Sequence, residues 1–311
     1  MSVKDMADAG EIDTIWMDGE FVDWEDAEVH VLTHGLHYGT GVFEGVRCYD
    51  TERGPAIFRW AEHLDRLYQS GRPYGIEIPY DRAELTEATL ELIRRQDLRS
   101  CYVRPIVFYG YGKMGLNPTG APIRTAVAVW PWGSYLGEDA IENGVEVMVS
   151  SWRKYASSQI PTSAKTTGPY VNGVLASLEA ERNDYHEAIL LDKNGDVAEG
   201  PGENLFVVDD GEIYTPSLAQ SNLDGITRDT VIQLAREMGY TVHDDAVVDR
   251  GQLYTADELF FTGTAAEVTP IRAVDDVEIG DGTRGPITEE VQSRFFEVVE
   301  TGEPADWFTD V

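Results

Sequence analysis

The sequence predicts an α+β protein made of two α/β-type domains with largely antiparallel sheets. A chain of 311 residues corresponds to roughly two domains, and its 42% hydrophobic residues can fill two cores. Strand-like and helical segments mix without strict alternation, and Asn-Gly and Asp-Gly turns between apolar runs indicate hairpins. These features disfavour a doubly wound parallel sheet.

The first domain is expected over residues 1–130. Residues 15–50 are dominated by β-branched and aromatic residues and predict strands around an Asp-Gly turn. Residues 60–71 carry apolar side chains at helical spacing and predict a short helix that Gly71 ends. An Asp-x-x-Glu capping-box pattern begins a second predicted helix, over 81–98. The runs CYVRPIVFYGYG and TAVAVWPWGSYLG predict two further strands.

The last of these runs contains Pro-Trp-Gly, which suits a domain junction. An interdomain loop is therefore expected over 131–142 and a second domain over 143–311. The second domain has its own mixture of helices and hairpins, and no internal repeat is evident. Its predicted elements are, in order, the strand VEVMVSSW, the helix GVLASLEAERND, the hairpins AILLDKNGDVAE and NLFVVDDGEIYTP, the helix GITRDTVIQLAREMG, the strand ELFFTGTAAEVTPI and the helix PITEEVQSRFFEVVE.

The chain is strongly acidic. With 56 acidic and 24 basic residues its formal net charge is −32, which repels nucleic acid and anionic membranes. No segment reaches the ~18 consecutive apolar residues that a membrane span needs. The polar start, MSVKDMADAGEID, lacks the apolar core of a secretion signal. We expect a cytoplasmic protein with neither nucleic-acid nor membrane partners.

The same acidity predicts stability that depends on salt, as in the proteins of a halophile. Only five of the basic residues are lysines, and in molar salt the Debye length falls to ~3 Å, which screens self-repulsion. We expect the melting temperature to rise between dilute buffer and molar KCl in thermal unfolding experiments. A melting temperature that stays flat or falls over that range would contradict this hypothesis.

Two other residue sets have structural explanations. Cys48 and Cys101 lie in apolar, strand-like runs outside any Cys-x-x-Cys pair, and are expected to be reduced core thiols. His30, His34 and His37 would meet as metal ligands on a helix, but their segment is predicted as strand and turn, where alternating faces separate them. We expect no metal site, and a metal hydrolase remains an alternative from a different class.

One lysine stands alone in an otherwise uncharged segment. Lys165 is the only charged residue in the 24 residues from Tyr155 to Leu178, whereas 26% charged residues, the average of the chain, would place about six there. In a setting of low dielectric constant an amine has a lowered pKa and becomes a nucleophile toward carbonyls. The other lysines lie in the terminal segment, a loop, a charged pair and a hairpin turn: Lys4, Lys113, Lys154 and Lys193.

Further residues suit a cofactor that carries a phosphate. Gly225, Ile226 and Thr227 begin a predicted helix, whose N-terminal N–H groups favour an anion, and the turn in TGTAAE offers more donors. Arg66 lies on the first predicted helix, and Glu199 precedes a Gly-Pro-Gly turn, where a carboxylate can keep a ring nitrogen protonated. Each feature alone also suits an ordinary cap, turn or solvated side chain. Together they describe a pyridoxal 5′-phosphate site.

Six motifs follow one another along roughly residues 12–300: HYGTGVFEGVRCYD, FRWAEHLDRL, IPTSAKTTGPY, AEGPGENLF, GITRD and FTGTAAEVTP. They resemble the motifs of the fold-type IV (class IV) pyridoxal phosphate-dependent aminotransferases, and most closely those of the branched-chain amino acid aminotransferases. The resemblance implies a D-amino acid aminotransferase-like fold. It also implies ping-pong transfer of an amino group between L-leucine, L-isoleucine or L-valine and 2-oxoglutarate, in a homo-oligomer that is a dimer or hexamer.

The resemblance implies roles for individual residues. Lys165 would join the cofactor covalently and carry the proton between Cα of the substrate and C4′ of the cofactor. Glu199 would bind the pyridine nitrogen and Tyr170 the ring hydroxyl, with Leu223 against the ring. The phosphate would be held by Arg66, Gly225, Ile226, Thr227 and Thr264. The substrate pocket would contain Tyr38, Phe43, Gly45, Tyr102, Arg104, Trp132, Tyr135, Thr264 and Ala265, with Met114 and Leu116 on a nearby loop.

Alternatives remain within the same fold. A D-amino acid aminotransferase or an aminodeoxychorismate lyase would share the cofactor site. Arg104 after Cys-Tyr-Val and the long aromatic pocket favour the branched-chain, L-specific member, in which Arg104 and Tyr102 would bind the side-chain carboxylate of glutamate. A non-catalytic scaffold, by contrast, would be unaffected in activity and colour by Lys165→Ala.

Overall fold

A computed structural model describes residues 3–8, 12–133 and 138–311. Over these residues it contains nine α-helices and 17 strands, joined by short 3₁₀ turns. The helices are α1 (Val3–Asp8), α2 (His34–Tyr38), α3 (Trp60–Gly71), α4 (Arg82–Arg95), α5 (Glu138–Asn143), α6 (Val171–Arg182), α7 (Ile226–Glu237), α8 (Arg250–Thr255) and α9 (Pro286–Thr301). None of the helices over these residues is long and apolar enough to cross a membrane.

The strands are short and divide between two sheets. They are β1 (Thr14–Met17), β2 (Glu20–Asp23), β3 (Gly41–Phe43), β4 (Val46–Thr51), β5 (Gly54–Phe58), β6 (Cys101–Tyr109), β7 (Ile123–Trp130), β8 (Val145–Arg153), β9 (Glu187–Leu191), β10 (Val197–Glu199), β11 (Asn204–Asp209), β12 (Glu212–Pro216), β13 (Val242–Ala246), β14 (Glu258–Gly263), β15 (Glu267–Val274), β16 (Val277–Glu278) and β17 (Phe308–Asp310).

The chain forms two compact units. The first contains Met1–Trp132, Ala164–Gly168 and Val298–Val311, and the second contains Gly133–Ser163 and Pro169–Glu297. The domain boundaries expected from the sequence, at 1–130, 131–142 and 143–311, remain a prediction, and residues 134–137 of the expected loop lie outside the described part of the chain.

The first unit is built on an eight-stranded antiparallel sheet. Its strand order is β17-β5-β4-β6-β7-β1-β2, with β3 paired to β6. The amphipathic helices α3 and α4 bury Leu64, Leu67 and Leu85 in its core. The capping box predicted for α4 is confirmed, because Asp81 accepts a hydrogen bond from the Glu84 N–H and the Glu84 side chain accepts one from the Asp81 N–H.

The second unit is built on a nine-stranded mixed sheet. Its strand order is β10-β9-β8-β15-β14-β11-β12-β13, with β16 paired to β15. The predicted hairpins β9–β10 and β11–β12 are confirmed as antiparallel pairs. Three pairs are parallel, β8 with β9, β8 with β15 and β12 with β13. Helices α6 and α7 make two of the crossovers that parallel neighbours require. The α+β class predicted from the sequence is confirmed.

Three local expectations meet different outcomes. The strand prediction for 15–50 is wrong at α2, where His34 to Tyr38 form a helical turn ended by Gly39 in the left-handed region (φ 61°). The helix predicted over 60–71 is confirmed with the same bounds, since α3 ends at Gly71 and a separate 3₁₀ turn follows it and ends at Gly75 (φ 66°). Cys48 and Cys101 are free, buried and directly opposite each other on β4 and β6, as expected for core thiols.

Candidate active site

The isolated lysine of the sequence lies on a segment that pairs with β3 within the first unit. The N–H of Phe43 donates to the carbonyl of Lys165 (3.1 Å), and a β-bridge joins Val42 to Thr166. The Lys165 N–H donates to Oγ of Ser70, a buried residue of α3, at 2.9 Å. Backbone contacts to a strand and to a helix therefore hold the residue in place from both sides.

The Lys165 amine lies in a setting that disfavours its charged form. Burial is the largest cause and the nearby positive charge of Arg66 adds to it, so the pKa falls to about 8 although Glu44 opposes the change. The amine also lies 5.2 Å from the ring centre of Phe43. An amine with this pKa is unprotonated in a sizeable minority of molecules just above neutral pH, and the unprotonated form can attack a carbonyl.

Arg66 is held by a carboxylate that sequence analysis did not single out. Its Nε and Nη2 donate to the two oxygens of Glu44 at 2.6 and 2.7 Å. His63, one turn before Arg66 on α3, makes a third contact to Glu44, Nδ1 to Oε2 at 2.8 Å. Glu44 is fully buried, yet its pKa lies well below its usual range because the attraction and hydrogen bonds of Arg66 and His63 outweigh the cost of burial.

An aromatic wall surrounds a second arginine of the first unit. The Tyr102 ring lies 5.1 Å from those of Trp130 and Trp132. The guanidinium carbon of Arg104 lies 5.0 Å from the ring centre of Phe43 and 5.2 Å from that of Tyr102. Nε of Arg104 is buried and has no hydrogen-bond partner among the described residues. A buried, unsatisfied donor among aromatic rings is suited to binding an anionic group that enters from outside.

Gly45 is the residue that lets the Tyr102 hydroxyl approach the backbone. A Cβ at position 45 would lie 1.9 Å from Oη and 2.8 Å from Cζ of Tyr102. We expect Gly45→Ala to displace the ring and to lower the free energy of unfolding by about 1–3 kcal/mol in urea denaturation, as overpacking does. Gly133→Ala, where an added Cβ has no neighbour within 4 Å, is the matched control. Equal stability of the two variants would contradict the prediction, and Tyr102→Phe should partly relieve the cost of Gly45→Ala.

In the second unit, Glu199 at the end of β10 is a buried acid. Its side chain is 7% exposed. Oε2 accepts hydrogen bonds from the Leu223 N–H (2.9 Å) and from Nδ2 of Asn204 (3.3 Å). Asn204 also donates to the Leu223 carbonyl at 3.0 Å, so one amide side chain ties β11 to the loop that precedes α7.

Lys154 forms an ion pair with Oε1 of Glu199, which adds a buried partner that its interpretation as part of a charged pair in the sequence did not include. The Lys154 side chain is only 10% exposed. Burial lowers the pKa of the amine, but the attraction of Glu199 outweighs burial, and the net effect is a raised pKa. Because Tyr170 contributes to the same rise, the cation lies in the electrostatic environment of both residues.

The helix start predicted at Gly225 is present in the second unit, and anion binding there remains a prediction. Gly225 precedes the first turn of α7, and Ile226 and Thr227 are the buried first residues of that helix. A Cβ on Gly225 would lie 1.9 Å from Oδ1 of Asn204, so a larger residue there would have to displace the Asn204 side chain. Thr264 and Ala265 lie half-buried in the turn between β14 and β15.

The other residues expected in the substrate pocket are exposed or lie outside the described part of the chain. Tyr38 is 40% exposed, with its ring against that of His34 at 4.6 Å. Met114 and Leu116 are also exposed, whereas Tyr135 lies outside the described residues. Over the described part of the chain, no group of three or more His, Cys, Asp and Glu residues could hold a metal ion.

The residues that sequence analysis missed are Glu44, His63, Lys154 and Asn204. Glu44 and His63 both stand inside motifs that were recognised, immediately after Phe43 and three residues before Arg66. An acid in an apolar strand context is itself a signal, because a buried carboxylate requires a partner. Asn204 also stands inside a recognised motif, AEGPGENLF, but neither Asn204 nor Lys154 is an acid in an apolar strand context.

Comparison with known proteins identifies the family of this chain. The family model for amino-transferase class IV matches residues 41–274. The branched-chain-amino-acid aminotransferase of Escherichia coli K12 is 49% identical over 295 residues, which cover 94% of this chain and 95% of that protein.

Two solved structures extend the match to three dimensions. A crystal structure of an E. coli branched-chain amino acid aminotransferase has a TM-score of 0.94 and 47% identity, covering 96% of this chain and 99% of that one. The branched-chain amino acid aminotransferase from Thermobaculum terrenum, solved in its PLP-bound holo form, has a TM-score of 0.88 and 34% identity, covering 96% and 98%. This chain therefore belongs to the amino-transferase class IV family.

Proposed function

We propose that this protein is a branched-chain amino acid aminotransferase that uses pyridoxal 5′-phosphate. It transfers the amino group between L-leucine, L-isoleucine or L-valine and 2-oxoglutarate. The observation that carries the proposal is the 49% identity over almost the whole chain to an aminotransferase of this specificity. The lowered pKa of Lys165, about 8, supplies the independent chemical support.

The residues of this chain suit such a cofactor. An amine of lowered pKa is suited to react with an aldehyde, and the N–H groups at the start of α7, after Gly225, are suited to bind a phosphate. The buried carboxylate of Glu199 matches a protonated ring nitrogen. When bound, pyridoxal 5′-phosphate supplies an aldehyde for the amine and an electron-withdrawing ring that accepts charge from the substrate Cα.

The roles proposed for the first unit centre on Lys165. Its amine would hold the cofactor through the aldehyde and would act as the base that moves a proton between Cα of the substrate and C4′ of the cofactor. A pKa of about 8 keeps enough of the amine unprotonated to act as this base near neutral pH. Arg66 binds the phosphate with its guanidinium.

The roles proposed for the second unit concern the ring and the phosphate. Glu199, held by the Leu223 N–H and by Lys154, presents a carboxylate to the pyridine nitrogen. Tyr170 binds the ring hydroxyl, and Leu223 packs on the ring. The phosphate is bound by backbone and hydroxyl groups of Gly225, Ile226, Thr227 and Thr264.

The substrate must be accepted in two chemically different forms. An apolar side chain packs on Phe43, Tyr102 and Trp132, with Tyr38 and Tyr135 as further proposed contacts. The second carboxylate of glutamate pairs with Arg104, whose buried Nε has no hydrogen-bond partner among the described residues, and with the Tyr102 hydroxyl. The α-carboxylate binds near Gly45, Thr264 and Ala265. The protein is further proposed to act in the cytoplasm as a homo-oligomer, either a dimer or a hexamer.

Amino-donor specificity tests this function. With 2-oxoglutarate as acceptor, we expect L-leucine, L-isoleucine and L-valine to yield their 2-oxo acids and D-alanine to yield essentially none. The initial rates should give parallel double-reciprocal lines, as in a ping-pong mechanism. Activity with D-alanine would identify a D-amino acid aminotransferase. Release of pyruvate from aminodeoxychorismate, without any transamination of L-leucine, would identify the lyase.

A further inference from the structure

We propose that Glu44 is a positioning residue that orients the Arg66 guanidinium for the phosphate of the cofactor and sets the charge balance around the Lys165 amine. The inference rests on the proposed function, because it takes Arg66 as a phosphate ligand. It adds Glu44, supported by His63, to the residues on which cofactor binding depends.

The geometry of the carboxylate supports the orienting role. Both Glu44 oxygens accept from Arg66, Oε1 from Nε and Oε2 from Nη2, at 2.6 and 2.7 Å. A two-point contact of this kind fixes the plane of a guanidinium as well as its distance. His63 donates from Nδ1 to Oε2 at 2.8 Å, which restrains the carboxylate in turn.

The burial of the three groups makes the arrangement rigid. The Glu44, His63 and Arg66 side chains are 0%, 3% and 11% exposed. A fully buried carboxylate is costly unless charged partners compensate it, so moving Glu44 away from Arg66 and His63 would cost free energy. Because His63 and Arg66 are three residues apart on α3, one face of the helix presents both donors to the same acid.

The same carboxylate is coupled to the reactive amine. The Phe43 N–H donates to the Lys165 carbonyl, so the residue before Glu44 is tied to the lysine segment. The charged and titratable groups that act on the Lys165 amine are Arg66, Glu44, Tyr102 and Arg104, and His63 is itself influenced by Lys165. Among these groups Glu44 is the carboxylate. Its negative charge raises the pKa of the Lys165 amine, whereas Arg66 and Arg104 lower it.

Glu44→Gln tests the orienting role in cofactor-free protein. The amide keeps the size of the side chain but has one acceptor where Arg66 needs two. We expect the dissociation constant of pyridoxal 5′-phosphate to rise on the order of tenfold or more, whereas that of pyridoxal, which lacks the phosphate, changes less than about threefold. Equal weakening of both ligands would overturn the inference, and so would tighter binding of pyridoxal 5′-phosphate, since the carboxylate would then merely oppose the anion.

Arg66→Met separates the inference from the proposed function. If Arg66 binds the phosphate, Arg66→Met alone weakens pyridoxal 5′-phosphate selectively, and adding Glu44→Gln to it causes little further loss. A Glu44→Gln effect that persists in full without Arg66 would overturn the inference while leaving the function intact. Failure of the unaltered protein to bind pyridoxal 5′-phosphate at all would instead refute the proposed function.

Glu44→Asp separates the contact geometry of the carboxylate from its charge. It tests the inference even if Glu44→Gln does not fold. The shorter side chain keeps the negative charge but reaches Arg66 less well. We expect weaker binding of pyridoxal 5′-phosphate with a Lys165 pKa that stays near 8, whereas Glu44→Gln should lower that pKa further. Carbon-13 NMR titration of reductively methylated, cofactor-free protein measures it. An unchanged pKa in Glu44→Gln would overturn the electrostatic part of the inference.

Discussion

We expect Lys165→Ala to abolish transamination activity. In the proposed function the amine is both the covalent partner of the cofactor and the base that moves the Cα proton, and loss of a general base alone lowers rates by about 10²–10⁴-fold. We therefore expect kcat with L-leucine and 2-oxoglutarate to fall at least ~10³-fold, since both functions are lost together. Steady-state kinetics on protein saturated with pyridoxal 5′-phosphate measures the loss.

A control variant and a labelling experiment test whether the loss of activity is specific to position 165. Lys193→Ala removes an exposed lysine in a hairpin turn and should leave kcat within about twofold, as expected for a surface site. Borohydride reduction followed by peptide mapping should attach the cofactor to the peptide that contains Lys165 in the unaltered protein. Label on another lysine, or activity that survives Lys165→Ala, would refute the proposed mechanism.

Local sequence signals predicted the elements that local interactions stabilise. The Asp81 and Glu84 capping box lies within four residues, and the hairpin turns at Asn194–Gly195 and Asp210–Gly211 join strands adjacent in the chain. Helix α2 escaped prediction because five residues give too short a pattern, and long-range contacts stabilise it. The His34 N–H donates to the Gly110 carbonyl, and its ring nitrogens contact Oγ1 of Thr40 and the Gly115 carbonyl.

The residues of the candidate site also differ in whether a local sequence signal could predict them. Lys165 was conspicuous because its neighbourhood in the sequence lacks charge, which is a property of one continuous segment. Glu44 and Arg66, or Lys154 and Glu199, become partners only when segments 22 and 45 residues apart fold together. Neither periodicity nor composition indicates such a pair, so the buried ion pairs of the site could be identified only from the structure.

Breaking the buried ion pair of the second unit should be costly for stability. Lys154→Met replaces the cation by an apolar side chain of similar length and leaves the Glu199 carboxylate, 7% exposed, without its charged partner. Removal of one member of a buried pair costs about 3–5 kcal/mol. We expect a decrease of that size in the free energy of unfolding, measured by urea denaturation of cofactor-free protein. Lys193→Met, at the exposed hairpin turn, is the control and should change stability by less than about 0.5 kcal/mol.

The double variant Lys154→Met with Glu199→Gln distinguishes a stranded charge from lost packing. Its neutral amide can still accept from the Leu223 N–H, so most of the lost stability should return. The pKa of Lys154 is raised above its ordinary 10.5 in the folded protein. The ion pair therefore stabilises the fold fully below pH 10.5, and its contribution is lost as the pH rises through the raised pKa. The stability advantage of the unaltered protein over Lys154→Met should therefore shrink only in strongly alkaline solution. A double variant as unstable as Lys154→Met would show that packing of the lysine stem, rather than its charge, holds this part of the fold.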